Sequence, residues 1–175
     1  MKDYIEVTEK IRKFTQEHVK KSRYEHSVRV AEMCARLCRK YGLDDDKGYL
    51  AGIGHDMCKD FSDSELLELA AKDGMPISEY ERENVFLLHG RAAAVMMKEE
   101  FAIQDEDILE AVANHTSGVK GMCDLAKCLF LADKIEPETR TEDCFEKLRQ
   151  DADDGLDFCV KNLQNMAPRD ALEWI

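Results

Sequence analysis

The adjacent pair His55-Asp56 places an imidazole and a carboxylate at one point of the chain, directly after the small and apolar run at residues 50–54. Successive residues on a regular helix point about 100° apart, so the two side chains would not both face solvent there. One explanation is that both side chains turn toward a common metal ion. Four of the five histidines then join two aspartates in one candidate constellation: His26, His55, Asp56, His89, His115 and Asp133.

Two histidines and two aspartates suit a divalent transition ion such as iron, manganese, cobalt or zinc. Asp133 follows the apolar run at residues 128–132, where an unpaired carboxylate would be costly to bury and a metal would offset that cost. On its own, His26 on an apolar helix face fits a structural core histidine better than a ligand. Together, the four candidate ligands leave coordination positions for water and a phosphoryl oxygen, as hydrolysis requires; they are His26, His55, Asp56 and Asp133.

His89 and His115 have two open interpretations. They could bind a second metal ion, or they could donate to phosphate oxygens and protonate a leaving group. Other side chains near these motifs could clamp a polyphosphate, although each taken singly also fits a solvated surface residue; they are Arg23, Lys59, Thr116, Lys120 and Arg140. His18 lies in a lysine-rich stretch and is predicted to be an exposed histidine outside the site.

The elements that must position these side chains are helical, because apolar residues recur at helical spacing and no segment alternates with period two. The sequence therefore predicts an all-α fold. Capping-box sequences at residues 62–65 and 78–81 mark two helix starts. The predicted helices cover about residues 3–20, 23–41, 45–57, 62–74, 78 onward, 89–101, 105–115, 124–135 and 139–166.

The 175 residues predict one domain, 1–175, with its motif-bearing core at about 22–137. The net charge of −12 argues against nucleic acid and anionic membranes as partners. The chain has no apolar segment long enough to cross a bilayer, and its seven cysteines form no C-x-x-C pair, so a soluble, cytoplasmic protein with reduced thiols is expected. The oligomeric state stays open, a homodimer included.

The ordered motifs resemble the HD-domain superfamily of metal-dependent phosphohydrolases. Within it they are similar to the bacterial family of symmetrical diadenosine tetraphosphate hydrolases, which cleave that dinucleotide into two ADP. The resemblance extends over about residues 15–165. It rests on RYEHS at 23–27, GHDMCKD at 54–60, LHG at 88–90, NHTSG at 114–118 and FLADKIEP at 130–137.

This resemblance implies an HD-domain helical bundle with a metal site in its core, which holds one or two ions, with iron as the expected metal. It implies metal ligation by His26, His55, Asp56 and Asp133, and catalytic roles for Asp56, His89 and His115. Contacts to the nucleotide or its phosphates are implied for six residues: Arg23, Lys59, His89, His115, Thr116 and Asp133. The family's arginine after Glu-Pro has its counterpart in Arg140, shifted by one position.

Three functions follow as alternatives. The first is hydrolysis of a symmetrical dinucleoside polyphosphate. The second keeps the site but acts on mononucleotides, and the third is a nucleotide-binding sensor without turnover. The presence of every expected ligand disfavours the sensor. The identity of the products separates the first two.

Overall fold

A computed structural model describes residues 4–136, 138, 155–157 and 160–161. Residues 4–136 form helices joined by turns and loops, with no strand among them, which confirms the all-α prediction. Two short 3₁₀ turns, Ala71–Asp73 and Val85–Leu88, accompany the α-helices. In chain order these are α1 (Ile5–His18), α2 (Lys21–Lys40), α3 (Asp45–Gly54), α4 (Asp63–Ala70), α5 (Glu79–Glu83), α6 (His89–Glu99), α7 (Glu106–Asn114) and α8 (Asp124–Ile135).

Helix α2 lies at the centre of the bundle, where it packs on α3 on one side and α8 on the other. Its contact with α3 is very close. A Cβ atom added to Gly52 would lie 2.4 Å from the Cα atom of Ala31, so only glycine permits this approach. Both glycines before His55-Asp56 therefore serve helix packing: Gly52 lets α3 approach α2, and Gly54 faces Ile11 of α1 and Met97 of α6.

The helix starts follow the capping signals in the sequence. Ser62 and Glu65 form a capping box at the start of α4, and Ser78 and Glu81 form another at the start of α5. The side chain of Asp105 caps α7 by accepting a hydrogen bond from the backbone N–H of Ile108. These caps satisfy N–H groups that have no partner within the helix.

The end of α3 differs from the sequence prediction, which continued this helix to residue 57. The helix ends at Gly54, and tight turns follow: the N–H of Met57 donates to the Gly54 carbonyl at 3.2 Å, and that of Lys59 donates to the Asp56 carbonyl at 2.9 Å. His55 and Asp56 thus lie in the turns directly after α3, where successive side chains can point toward the same place.

The predicted helices over about 139–166, together with Arg140, fall mostly or wholly outside the described residues. Within the described part of the chain, no helix has the length and apolar character needed to cross a membrane.

Candidate metal centre

Side chains carried by five helices converge on one point of the bundle. His26 extends from the first half of α2, His55 and Asp56 follow α3, and His89 begins α6. His115 follows the last residue of α7, and Asp133 lies in the last turn of α8. The structure therefore brings together all six members of the constellation that the sequence predicted.

Three of the histidines are held in the same tautomer by backbone carbonyls. The Nδ1–H group of His55 donates to the Gly52 carbonyl at 2.6 Å. That of His89 donates to the Phe86 carbonyl at 2.6 Å, and that of His115 donates to the Val112 carbonyl at 2.7 Å. Each Nε2 atom is consequently left with its lone pair toward the site, which is the form that binds metals. The Nε2 atom of His55 is buried and has no hydrogen-bond partner, so this ring fits a metal ligand.

The first cluster combines His26, His55 and Asp56 with Asp133. Ligand atoms of His26, His55 and Asp56 all lie within 4.8 Å of one another. The Oδ1 atom of Asp133 is 3.0 Å from Nε2 of His26 and 3.8 Å from Nε2 of His55. Ligands about 2 Å from a shared ion are separated from one another by distances of this kind. The donor set, two imidazoles and two carboxylates, fits a divalent transition metal.

The second cluster consists of Asp56, His89 and His115. The Oδ1 atom of Asp56 lies 3.0 Å from Nε2 of His89 and 3.5 Å from Nε2 of His115. Asp56 belongs to both clusters, with Oδ2 directed to the first and Oδ1 to the second. A shared carboxylate of this kind can bridge two cations, so the arrangement has room for one or two ions.

The protonation of the site follows from its burial and its opposite charges. Burial alone would raise the pKa of Asp56, but His55, His115 and His89 outweigh this and hold that pKa well below its usual range. Burial lowers the pKa of His115 to about 4 and also lowers the pKa of His55. These shifts favour an ionised Asp56 beside neutral imidazoles at His55 and His115, the state required of metal ligands.

His26 is oriented by a residue to which the sequence analysis gave no role. Glu136 is fully buried, and its Oε1 atom accepts a hydrogen bond from Nδ1 of His26 at 3.1 Å. Its Oε2 atom accepts from Nε of Arg29 at 2.8 Å. Burial disfavours the charged form of His26, but hydrogen bonds to Asp133 and Glu136 raise its pKa. The sequence offered one indication of this role, because Glu136 directly follows an apolar helix.

An open cleft of about 710 Å³ leads to these clusters. We call it the basic cleft, because five cationic side chains line it: Lys20, Arg23, Arg29, Lys59 and Lys134. Asp56, His115, Thr116 and Asp133 line it as well. In a chain with a net charge of −12, such a local concentration of positive charge favours anionic ligands.

The candidate phosphate contacts differ in how they are held. Arg23 forms an ion pair with Asp60 at 3.1 Å, and the Nζ atom of Lys59 lies 3.0 Å from Nε2 of His89. Burial lowers the pKa of Lys59. The hydroxyl of Thr116 is 3.3 Å from Nε2 of both His89 and His115.

Two further candidates lie away from the basic cleft. Lys120 lines a separate cleft with Met122 and Lys127 and is not among the residues that line the basic cleft. His18 is exposed and stacks on Phe14 with ring centroids 3.8 Å apart, as expected for a histidine outside the site. Sequence analysis also missed Lys134, which pairs with Asp133 and is the next residue along α8.

Comparison with protein families matches residues 23–138 to the HD domain. Among curated proteins, the chain is 36% identical over 135 residues to a symmetrical bis(5'-nucleosyl)-tetraphosphatase of Staphylococcus aureus, covering 74% of this chain and 66% of that protein. It is 35% identical to the protein of the same name from Halalkalibacterium halodurans, covering 82% of this chain and 75% of the relative. The Bacillus subtilis protein of that name is 37% identical, with 61% of its length covered. The chain thus spans less than two thirds of some of these relatives.

A solved structure shares the fold. It is described as a predicted HD superfamily hydrolase involved in NAD metabolism from Clostridium acetobutylicum, and it matches with a TM-score of 0.83 and 30% sequence identity. The match covers 94% of this chain and 85% of the other.

Proposed function

Since the chain belongs to the HD-domain family, we propose that it is a metal-dependent phosphohydrolase that cleaves dinucleoside polyphosphates symmetrically, as in the conversion of diadenosine tetraphosphate to two ADP. The names of the Staphylococcus, Halalkalibacterium and Bacillus relatives support this substrate class. The proposed location is the cytoplasm, where the free thiols of the described cysteines would stay reduced.

The observation that carries the proposal is the position of Asp56. Its two carboxylate oxygens face two different histidine clusters, and both clusters lie along the basic cleft. Reactive chemistry and anion binding therefore meet at one place. A polyphosphate that enters the cleft would find cations along its chain and a metal site at its inner end.

We assign one ion to His26, His55, Asp56 and Asp133, and a second to Asp56, His89 and His115. Iron is the metal we propose, because the mixed set of imidazole and carboxylate ligands suits it. When bound, the metal supplies Lewis acidity that activates water and neutralises charge on the phosphoryl group. If only one ion binds, His89 and His115 serve the substrate instead: each ring would first take up a proton at Nε2, and would then donate to a phosphate oxygen or protonate the leaving diphosphate.

The remaining side chains of the basic cleft hold the substrate. Arg23, Lys59 and Lys134 are spread around the clusters, so their charges can neutralise successive phosphates of a chain. Thr116 places its hydroxyl beside the second cluster, where it can donate to a phosphoryl oxygen. A tetraphosphate has enough negative charge to engage several of these cations at once, which favours it over a monophosphate.

Mononucleotides are the second candidate substrates. The Clostridium acetobutylicum protein is described as involved in NAD metabolism, a different role from the one that the names of the curated relatives give, so the substrate is tested beyond dinucleoside polyphosphates. The clusters are compatible with either substrate, because hydrolysis of either one breaks a P–O bond, which would lie beside the metal site.

The proposal is tested with protein loaded with Fe²⁺ under anaerobic conditions and offered diadenosine tetraphosphate, ATP, ADP and AMP separately. We expect two ADP from each dinucleotide and slower release of phosphate from the mononucleotides. Asp133→Asn serves as the inactive control. Formation of ATP plus AMP, or turnover of mononucleotides alone, would contradict symmetrical cleavage. Binding without turnover would indicate the sensor.

A further inference from the structure

A second cleft shares the lining residue Thr116 with the basic cleft. Its volume is about 270 Å³. We call it the side cleft, and its walls come from the start of α5, from the end of α7 and from the turn after α7. Its lining includes Tyr80, Leu87, Asn114, Ser117 and Val119.

The chemistry of the side cleft differs from that of the basic cleft. Its single lining cation among the described residues is Arg91, whose guanidinium group is already committed to Asp73 and Glu81 and to the carbonyls of Met75 and Pro76. Glu81 adds a negative charge to the wall. A phosphate group would therefore find no uncommitted positive charge here.

The surfaces that remain suit a flat, uncharged ligand. Tyr80 is 39% exposed and Val119 is 38% exposed, and both line the cleft with Leu87. An aromatic ring and branched aliphatic side chains are surfaces on which a base can stack. Asn114 and Ser117 add amide and hydroxyl groups, which can hydrogen bond to the edge of a base.

The wall formed by α5 is held in place by contacts within the protein. Ser78 and Glu81 close the capping box that starts α5, the helix that carries Tyr80. Arg91, from α6, ties the segment before α5 to the bundle through Asp73 and the Met75 carbonyl. Side chains that are already ordered lose less conformational entropy when a ligand binds than side chains that must become ordered.

We propose that the side cleft binds one nucleobase of the dinucleoside polyphosphate, while the phosphate chain lies in the basic cleft. This inference rests on the proposed function and extends it to the nucleoside. Thr116 lies at the boundary, with its hydroxyl 3.3 Å from the Nε2 atoms of His89 and His115. A phosphate beside the second cluster thus has its attached nucleoside within reach of the side cleft.

The test compares a ligand that contains a base with one that does not. Calorimetric titration of the metal-loaded protein measures the affinity for ADP and for inorganic pyrophosphate. We expect Tyr80→Ala to weaken ADP binding by about tenfold through loss of stacking, with pyrophosphate binding unchanged. Tyr80→Phe keeps the aromatic ring and should bind ADP as the wild-type protein does. Met75→Ala removes an exposed apolar side chain from the same segment outside the cleft and should change neither affinity.

The outcomes separate this inference from the proposed function. If the wild-type protein cleaves diadenosine tetraphosphate but Tyr80→Ala binds ADP with wild-type affinity, the side cleft is not the base site and the proposed function stands. Equal weakening of ADP and pyrophosphate would also overturn the base site, because the effect would then lie with the phosphates. A wild-type protein that neither binds ADP nor cleaves the dinucleotide would overturn both.

Discussion

The Nε2 atoms of His89 and His115 lie 3.0 Å apart. Both rings donate from Nδ1 to backbone carbonyls, so the two facing nitrogens both present lone pairs. The Oδ1 atom of Asp56 approaches the same point, 3.0 Å from His89. Three acceptor atoms so close together repel one another unless a cation or a shared proton lies among them. The Lys59 ammonium, 3.0 Å from Nε2 of His89, already brings positive charge to this point, and we propose a second metal ion as the cation among the three atoms.

The first prediction therefore concerns His115→Ala. Removing one of three ligands should lower the metal content from about two ions per chain to about one, because the first cluster does not include His115. Elemental analysis of the purified variant beside the wild-type protein measures this. If the content stays at about one ion in both proteins while the rate falls by roughly 10²–10⁴-fold, His115 is a proton donor to the substrate. Full activity would exclude both roles.

Asp56→Asn should have a larger effect on metal content than any change confined to one cluster. The substitution removes the negative charge that both clusters share, so both ions should bind severalfold more weakly and turnover should be abolished. Circular dichroism should show an unchanged helical content. The matched control is Asp63→Asn, which alters an exposed aspartate nearby. Wild-type metal content in Asp56→Asn would contradict the ligand assignment.

Glu136→Gln tests the orientation of His26. A glutamine has the same size but lacks the charge that holds Nδ1 of His26 and Arg29. We expect metal affinity to fall by about 10- to 100-fold, the usual effect of removing a partner that orients a ligand. Glu138→Gln is the control, because Glu138 pairs with Arg29 at 3.2 Å and is 70% exposed. Competition with a chelator gives both affinities, and equal effects of the two substitutions would argue against a special role for Glu136.

Asp105 makes stability depend on pH at a point outside the metal centre. Its carboxylate accepts hydrogen bonds from Tyr4 at 3.0 Å and pairs with Lys47 at 2.7 Å. Burial opposes ionisation, but these two partners outweigh it and lower the pKa of Asp105. A lowered pKa contributes stability that is fully present above the unfolded value of about 4. That contribution is lost as the pH falls through the folded value.

Asp105→Asn should accordingly lower the free energy of unfolding by about 1 kcal/mol at neutral pH, and the difference from the wild-type protein should shrink below about pH 4. Urea denaturation at both pH values measures it. Asp107→Asn changes an exposed aspartate in the first turn of α7 and should have little effect. If the difference in free energy of unfolding between Asp105→Asn and the wild-type protein is equally large in acid, the stabilisation does not come from the charge of Asp105.

Local patterns in the sequence were enough to predict the helical fold of residues 4–136 and the members of the constellation. Helical periodicity, capping boxes and the spacing of small residues are local properties, so the helices could be predicted within a few residues of their ends. His55-Asp56 and the buried position of Asp133 pointed to a metal because their chemistry is unusual in apolar surroundings. Membership of the HD-domain family was likewise apparent from the order of the motifs.

Tertiary structure decided how these residues are paired. Asp56 faces two clusters because α3 ends at Gly54 and the chain turns, a boundary that periodicity did not predict. The roles of Glu136 and Lys134 depend on α8 crossing α2, and the side cleft depends on α5 meeting the turn after α7. Such contacts join residues distant in sequence, and their geometry follows from packing, which no local pattern in the chain specifies.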